Sequence, residues 1–496
     1  MDRRPRHVKI IGTIGPASSG PEVLTALIEA GLDVARINCS HTAPEAIPAV
    51  VADVRAAADR AGRHVAVLVD LAGPKLRIDG LTGPVDLAVG APLRIAGSDA
   101  PTPPTDPDSG VLVRVPVPRL AEACSVGDTV LLADGVVAVT VAAITDGVLH
   151  CRTDEPGTIG PRKGIHFPGV DLLGPAVTDF DRECIRRGLE AEADLFAVSF
   201  VQHASDVALA RELIGERALL VAKIERAGAI AELDAILDHV DAMLVARGDL
   251  GVELPLEEVP AVQKHLVARS LARARIPIVA TEMLESMITN ARPTRAEASD
   301  VANAALDGAA AVMLSAETAA GAHPVAAVEA MDRILRAVEH DGASARVIAA
   351  RSGRGLDHRI TDADPTGWTT ALADAATTVA ERLGADAIVA LTETGKSALL
   401  LASARPDCPI VGVCFTPRVA RRLAIFWGVI PVVVDRDDDP HVLRLHAARA
   451  TVAALGGRGG TIVLLSGPVG DAAHFDNLRV ALLDPTGTFV DDTLLR

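Results

Sequence analysis

Short runs of β-branched and aliphatic residues alternate with longer amphipathic stretches along most of the chain. Eight of these runs are each followed by a helical stretch, and they occupy residues 8–14, 34–38, 65–70, 195–200, 219–224, 242–246, 276–281 and 311–315. Such alternation is typical of strand–helix repetition over a parallel sheet. Eight units in about 250 residues predict a closed (β/α)8 TIM barrel, built from residues 1–77 and 167–341.

The strand–helix rhythm is interrupted once and ends before the C-terminus. Residues 78–166 are rich in Gly, Pro, Val and Thr and contain short alternating runs between turn clusters, which predicts a small inserted β-barrel domain. Residues 342–368, rich in Gly, Asp and Arg, are expected to form a linker. Four further apolar runs between residues 387 and 465 predict an open α/β domain over residues 369–496.

Composition narrows the class of protein. The chain has 496 residues, 49% of them hydrophobic, and is expected to hold several domains with large aliphatic cores. Its net charge of −17, with 2% aromatic residues and no Tyr, argues against nucleic-acid binding. Six scattered cysteines without a Cys-x-x-Cys pair argue against structural zinc and a disulfide framework. No run reaches the roughly 20 apolar residues of a membrane span, and no cleavable leader is evident, so we expect a cytoplasmic protein.

The active site of such a barrel lies at the C-terminal ends of the strands, where polar side chains follow the apolar runs. These candidates are Arg36, Asn38, Asp70, Ser199, Lys223, Glu225, Arg247, Asp249, Thr281, Ser315 and Glu317. Lys223 and Glu225 are two positions apart on one strand and therefore point the same way. Glu225 and Asp249 supply two hard oxygen ligands that suit Mg²⁺, and a metal beside a Lys and an Arg suits phosphoryl transfer. For either Lys223 or Glu225 alone, a structural ion pair is an equal alternative, which the agreement of several strand ends disfavours.

Two of these segments, AKIE at residues 222–225 and VARGDLG at residues 245–251, resemble the pyruvate kinase family. The resemblance extends to TIGPAS, RINCSH, DLAGPKLR, RKG, ATEMLESM, RPTRAE and MLSAET, at residues 13–18, 36–41, 70–77, 162–164, 280–287, 292–297 and 313–318. The order and spacing of the motifs fit the family from residue 8 to the C-terminus.

The resemblance implies a catalytic barrel, a β lid, a C-terminal regulatory domain and a homotetramer. It also implies transfer of the phosphoryl group of phosphoenolpyruvate to ADP, giving pyruvate and ATP in the last step of glycolysis, with Mg²⁺, which Mn²⁺ could replace. By similarity, Lys223 would neutralise the phosphoryl group in transit, Arg36 would bind the substrate phosphate, and Glu225 and Asp249 would hold the metal. Gly248, Asp249 and Thr281 would contact the substrate.

The remaining roles also come from the resemblance. The nucleotide would be bound by Asn38, Ser40, His41, Arg77 and Lys163. A water relay near Thr281, Ser315 and Glu317 would deliver a proton to the enolate. A phosphorylated allosteric effector would bind at Thr392, Thr394, Lys396 and Ser397, where N–H groups and hydroxyls open a helix, although a plain capped helix start explains this segment equally well.

The sequence departs from the family at the monovalent-cation site. Many members hold K⁺ with an Asn, a Ser, an Asp and a Thr carbonyl, beside a Glu in a Gly-Pro-Glu motif. Here Asn38, Ser40 and Asp70 are kept, but Leu71 replaces the Thr and Lys75 replaces the Glu. A fixed ammonium would repel a cation 4 Å away by roughly 4 kcal/mol at an effective dielectric of about 20, so we expect activity without K⁺. The alternative is that Lys75 points to solvent.

Two other functions are compatible with the fold. A regulatory paralogue could keep the fold without turnover, although the intact Arg36, Arg77, Lys223, Glu225, Asp249 and Thr281 argue against it. A Mg²⁺-dependent lyase or aldolase acting on 2-oxo acids could use the same carboxylates, but a nucleotide lid would then have no purpose.

Overall fold

A computed structural model describes residues 6–102, 110–133, 135–170, 172, 174, 176–350, 367–467 and 477–490. The chain opens with three parallel strands, β1 (Lys9–Thr13), β2 (Val34–Asn38) and β3 (Ala66–Asp70). The helices α1 (Pro21–Ala30) and α2 (Ile47–Ala61) separate them, and each ends at a glycine of positive φ, Gly31 and Gly62. Glycine adopts this conformation without a steric penalty, so both helices stop where the chain must turn back to the sheet.

The segment inserted after β3 consists mainly of β-strands, as predicted. Its strands are β4 (Val85–Leu87), β5 (Pro92–Ala96), β6 (Val111–Arg114), β7 (Thr129–Leu132), β8 (Val137–Thr145), β9 (Val148–Glu155), β10 (Gly157–Ile159) and β11 (Ile165–His166), with the one-turn helix α3 (Leu120–Ala123) before β7. Six of them form a curled sheet in the order β11-β7-β8-β9-β5-β6, and β10 pairs with β4. This segment, hereafter the lid, has its own hydrophobic core.

The strand–helix rhythm then resumes. The strands are β12 (Leu195–Val198), β13 (Leu219–Ile224), β14 (Ala242–Ala246), β15 (Ile276–Ala280) and β16 (Ala311–Leu314). The helices around them are α4 (Asp179–Glu190), α5 (Ala204–Ile214), α6 (Ala227–Ala231), α7 (Leu233–His239), α8 (Arg247–Glu253), α9 (Val259–Ala272), α10 (Arg295–Asp307), α11 (Ala316–Ala319) and α12 (Pro324–His340). Together with β1–β3 the five strands close a parallel barrel in the order β1-β16-β15-β14-β13-β12-β3-β2, which confirms the predicted (β/α)8 fold.

The C-terminal part forms the predicted α/β domain. Helix α13 (Gly342–Ala350) precedes it, so the predicted linker contains a helix that its composition did not indicate, and residues 351–366 of that linker lie outside the described residues. The domain's helices are α14 (Trp368–Leu383), α15 (Lys396–Ala404), α16 (Pro417–Leu423) and α17 (Pro440–Ala454), and its strands are β17 (Ala387–Leu391), β18 (Ile410–Cys414), β19 (Val429–Val433), β20 (Gly460–Ser466) and β21 (Asn477–Leu483). The sheet order is β19-β18-β17-β20-β21, and the unpredicted β21 is an antiparallel edge strand.

The C-terminal domain packs against the end of the barrel where the strands begin. The Nζ of Lys9, at the start of β1, donates to the carbonyl of Val429 at 2.7 Å. Buried Arg405 donates to the carbonyls of Gly308 and Ala309 before β16. Its guanidinium carbon lies 4.6 Å from the ring centroid of Trp427. The opposite end of the barrel therefore remains open to the lid. Across the described ranges, no helix is both long and apolar enough to cross a bilayer.

Candidate active site

A cavity of about 340 Å³ opens at the C-terminal ends of the barrel strands, between the barrel and the lid. The barrel contributes Glu225, Gly248, Asp249, Thr281 and Ser315, and the lid contributes Leu131 and residues 164–166. Strand ends that are far apart in sequence thus meet in one space, as expected for this architecture.

Lys223 lies at the centre of a charged group that reaches the cavity through Glu225. Its Nζ is 2.7 Å from Glu225 Oε1 and 3.4 Å from Asp70 Oδ1, and it donates to Ser199 Oγ at 2.8 Å. Burial disfavours the charged ammonium, but the carboxylates of Asp70 and Glu225 outweigh burial and raise the pKa of Lys223. The side chain is therefore a fixed positive charge at neutral pH.

Arg36 is the second cation of the site. Its Nε donates to Asp70 Oδ2 at 2.7 Å, and one terminal nitrogen donates to Thr13 Oγ1 at 2.8 Å. Asp70 is buried, which opposes ionisation, but Lys223 and Arg36 together hold the pKa of its carboxyl below the ordinary value. One carboxylate on β3 thus orients the cations of two strands, β2 and β13, that do not pair with each other.

Glu225 and Asp249 fit the chemistry of a hard divalent cation. Burial raises the pKa of the Glu225 carboxyl and the negative charge of Asp249 adds to this, while Lys223 acts in the opposite direction. A bound cation would relieve the repulsion between the two carboxylates. The described chain contains no group of three or more His, Cys, Asp or Glu side chains arranged for a metal. A cation held here would therefore take most of its oxygen ligands from water or substrate, as Mg²⁺ commonly does.

Thr281 forms one wall of the cavity in a strained conformation. Its φ of +67° is unusual for a β-branched residue, and Glu282 beside it also has a positive φ. The hydroxyl accepts from the N–H of Gly248 at 2.8 Å and donates to the carbonyl of Ala280 at 2.6 Å. Arg247 supports the turn by donating to the carbonyl of Thr281 at 2.6 Å. These bonds fix the start of α8, which carries Asp249.

Ser315 and Glu317 occupy different positions. Ser315 lines the cavity, whereas Glu317 is fully buried and accepts hydrogen bonds from the N–H groups of Ser315 and Leu284, at 2.7 Å and 3.1 Å. Glu317 therefore supports the cavity wall from behind and joins two loops.

The residues predicted for the nucleotide stand at the rim. Ser40, His41, Arg77 and Lys163 are exposed, and the side-chain oxygen of half-buried Asn38 accepts from the N–H of Ser40 at 3.1 Å. Arg77 and Lys163 mark the two crossings between barrel and lid, where Arg77 pairs with Gly164 and donates to the carbonyl of Arg162 at 3.0 Å. Lys75 is exposed and lines the cavity.

The residues predicted for an effector lie in the C-terminal domain, apart from this cavity. Buried Thr392 accepts from the N–H of Gly395 at 2.9 Å, and Thr394 accepts from the N–H of Lys396 at 3.4 Å. Lys396 is exposed in the first turn of α15, and Ser397 is buried.

Two polar residues of the site, Arg226 and Glu253, were not predicted. Arg226 follows Glu225 directly, and Glu253 ends α8; both contact His166 of the lid. Arg226 could have been suspected from its place beside a strand-end carboxylate, but its partner on the lid is 60 positions away in sequence.

Comparison with known protein families covers nearly all of the chain. Residues 5–328 match the model described as "Pyruvate kinase, barrel domain", and residues 370–481 match "Pyruvate kinase, alpha/beta domain". The chain belongs to the pyruvate kinase family. As a member of it the protein is a phosphotransferase, in agreement with the prediction.

Individual relatives agree with this assignment. A pyruvate kinase from Methylorubrum extorquens is 40% identical over 487 residues, which cover 97% of this chain and 98% of the relative. A pyruvate kinase from Mycobacterium tuberculosis is 41% identical over 437 residues, which cover 87% of this chain and 88% of the relative. A solved pyruvate kinase structure from Cryptosporidium parvum is 32% identical, covers 96% of both chains and superimposes with a TM-score of 0.86.

Proposed function

We propose that the protein transfers the phosphoryl group of phosphoenolpyruvate to ADP, giving pyruvate and ATP. The observation that carries the proposal is the ammonium of Lys223, held between Asp70 and Glu225, of which Glu225 lines the cavity. Family membership supports the same reaction. A fixed cation at this point suits a reaction in which positioning and charge neutralisation lower the barrier.

Each step of the reaction is assigned to particular residues of the chain. Arg36 and Lys223 bind the substrate phosphate, while Gly248 and Thr281 form the wall along which the rest of the substrate lies. The bond between phosphorus and the enol oxygen breaks as a bond to a terminal ADP oxygen forms, and Lys223 stabilises the negative charge of the group in transit. The enolate then takes a proton at its methylene carbon through water beside Ser315 and Thr281. Glu225 and Asp249 would hold Mg²⁺, which neutralises phosphoryl oxygens when bound.

The nucleotide is assigned to the rim. Arg77 and Lys163 place two exposed cations at the crossings between barrel and lid, and Asn38, Ser40 and His41 face the same edge of the barrel. Cations at a hinge can meet phosphates when the lid moves towards the barrel, and closure would exclude water from the transfer.

Activity without K⁺ is part of the proposal. The carboxylate of Asp70 is already shared by Arg36 and Lys223, which leaves little negative charge to attract a monovalent cation. Lys75 adds a further positive charge to the cavity lining.

Regulation is assigned to the C-terminal domain. N–H groups and hydroxyls at the start of α15, with exposed Lys396, suit a phosphorylated effector. Calorimetric titration with sugar phosphates tests this: the unmodified protein is expected to bind one of them, and a Ser397→Asp variant to bind none. Family membership also supports a homotetramer, which light scattering would test.

The main experiment measures pyruvate formation from phosphoenolpyruvate and ADP with Mg²⁺. Removal of the Lys223 ammonium in Lys223→Met is expected to lower kcat by about a thousandfold or more, because one preorganised charge is worth several kcal/mol in the transition state. Arg333→Met, on the outer face of α12, is the matched control and should retain full turnover. An unmodified protein that binds phosphoenolpyruvate without forming pyruvate would instead indicate a regulatory paralogue.

A further inference from the structure

Three side chains from distant parts of the chain meet at the edge of the active-site cavity. His166 Nε2 lies 2.8 Å from Glu253 Oε1, and Arg226 Nε lies 2.9 Å from the same oxygen. His166 Nδ1 faces a terminal nitrogen of Arg226 at 3.4 Å. We call these three residues the triad.

The triad is enclosed, although it borders a cavity. The side chains of Arg226 and Glu253 are only 6% and 3% exposed, and that of His166 is 20% exposed. Within the described ranges, His166 Nε2, Arg226 Nε and Glu253 Oε1 hydrogen-bond to no other group. Besides the N–H of Ala227, the groups that stabilise the charge of Glu253 are His166 and Arg226. Separating the members of the triad would therefore leave a desolvated carboxylate facing fewer positive charges.

Each member belongs to a different functional element. His166 ends β11, the last strand of the lid, and lies three positions after Lys163 at the second crossing. Arg226 follows Glu225 at the end of β13. Glu253 ends α8, the helix whose first turn carries Asp249. The triad thus joins the lid to the two barrel elements that bear the proposed metal carboxylates.

A second contact lies beside the triad. A β-carbon at Gly135, in the turn between β7 and β8 of the lid, would be 3.4 Å from Val252 Cγ2 on α8. Arg226 also donates to the carbonyl of Val170 at 3.3 Å, in the segment that leads from the lid back to the barrel. The lid therefore contacts α8 at two neighbouring points. One is the contact of Gly135 with Val252, and the other is the charged contact of His166 with Glu253.

We propose that His166, Arg226 and Glu253 form a latch that holds the lid against α8, and that His166 and Glu253 are positioning residues for the nucleotide half of the reaction. The inference rests on the proposed function, since the lid hinge carries the cations assigned to the nucleotide. A latch raises the fraction of molecules whose lid is in the binding position. For a ligand that binds only when the lid is in that position, the apparent affinity rises in proportion to this fraction of molecules.

The test uses Glu253→Gln, which keeps the shape of the side chain and removes its charge, and His166→Ala. The matched controls are Glu257→Gln, on the exposed loop after α8, and His150→Ala, on β9 of the lid. The first measurement is trypsin cleavage after Arg77, Arg162 and Lys163 without ligands. Loss of the latch is expected to speed cleavage about fivefold, because the hinge opens more often.

The second measurement is steady-state kinetics. In both triad variants the KM for ADP is expected to rise about fivefold, while the KM for phosphoenolpyruvate and kcat stay within about twofold. Unchanged cleavage would overturn the latch. Equal changes in the KM for ADP and the KM for phosphoenolpyruvate would show that the triad has only a structural role. They would overturn the proposal that His166 and Glu253 position the nucleotide half of the site. Cleavage is measured without turnover, so it tests the latch even if the proposed reaction is wrong.

Discussion

At the level of single residues, Asp70 connects the two buried cations of the site. Its carboxylate touches both Arg36 and Lys223, so it orients them together, and its charge raises the pKa of Lys223. The sequence could identify these residues because each ends a hydrophobic run, and parallel strands bring their ends to one rim. It could not identify the latch, because the contact of Arg226 with His166 depends on how the lid is placed.

Lys75 carries a residue-level prediction. Lys75→Glu is expected to make turnover of phosphoenolpyruvate depend on K⁺, because a carboxylate would replace the charge that repels a monovalent cation. Initial rates in tetramethylammonium buffer with and without K⁺ would show a K⁺ activation of about tenfold or more in the variant. The Arg333→Glu variant controls for charge reversal far from the cavity. A tenfold stimulation of the unmodified protein by K⁺ would contradict the argument.

At the level of elements, the fully buried strands were the easiest to predict from the sequence. Every residue of β3, β14 and β15 is buried, and apart from Asp70 at the end of β3 these strands are apolar throughout, so the sequence predicts them without tertiary information. Short pieces such as β4, β10 and β11 exist only through pairing with a partner strand, and their two or three residues carry no pattern of their own. Helix α13 was missed because residues 342–368 were assessed together, and the Gly and Asp residues that follow the helix obscure its Ala-rich sequence.

The start of α10 supports the site through one carboxylate. Thr294 caps the helix. The carboxylate of Glu297 accepts hydrogen bonds from the N–H groups of Thr294 and Ser286, each at 2.7 Å. Thr294→Ala is expected to lower the free energy of unfolding by about 1 kcal/mol, because the cap of the helix is lost. Urea denaturation followed by circular dichroism measures this. Thr378→Ala, whose exposed hydroxyl donates to the Asp374 carbonyl of its own helix, should cost less than half as much.

At the level of the whole molecule, the barrel separates the cavity from the C-terminal domain. The cavity and lid lie at the end of the barrel where the strands finish, and the C-terminal domain covers the end where they begin. The order of these parts could be predicted from the change in sequence rhythm along the chain. Their mutual packing could not, because it depends on single contacts such as Arg405 with the carbonyls before β16.

The interface between barrel and C-terminal domain gives a pH prediction. Burial, reinforced by the charges of Lys9 and Arg405, lowers the pKa of His7 from 6.5 to about 3. Between pH 6.5 and about 3, His7 is protonated in the unfolded chain and neutral in the folded chain. The free energy of unfolding therefore falls as the pH falls, by up to about 1.4 kcal/mol per pH unit. Melting temperatures measured from pH 7.5 to 4.5 should therefore fall less steeply in His7→Gln.

An exposed histidine provides the control for that measurement. His265→Gln, on the outer face of α9, should keep the slope of the unmodified protein. An unchanged slope in His7→Gln would show that the acid sensitivity arises elsewhere.

The pairing of Arg77 with Gly164 has an evolutionary consequence. The chain leaves the barrel and returns to it at adjacent backbone positions, so the two covalent connections of the lid lie side by side. A segment attached in this way can be lengthened, shortened or exchanged by a single recombination event while the strand order of the barrel stays intact. Differences in length and sequence among relatives of this chain are therefore expected to be larger in the lid than in the barrel.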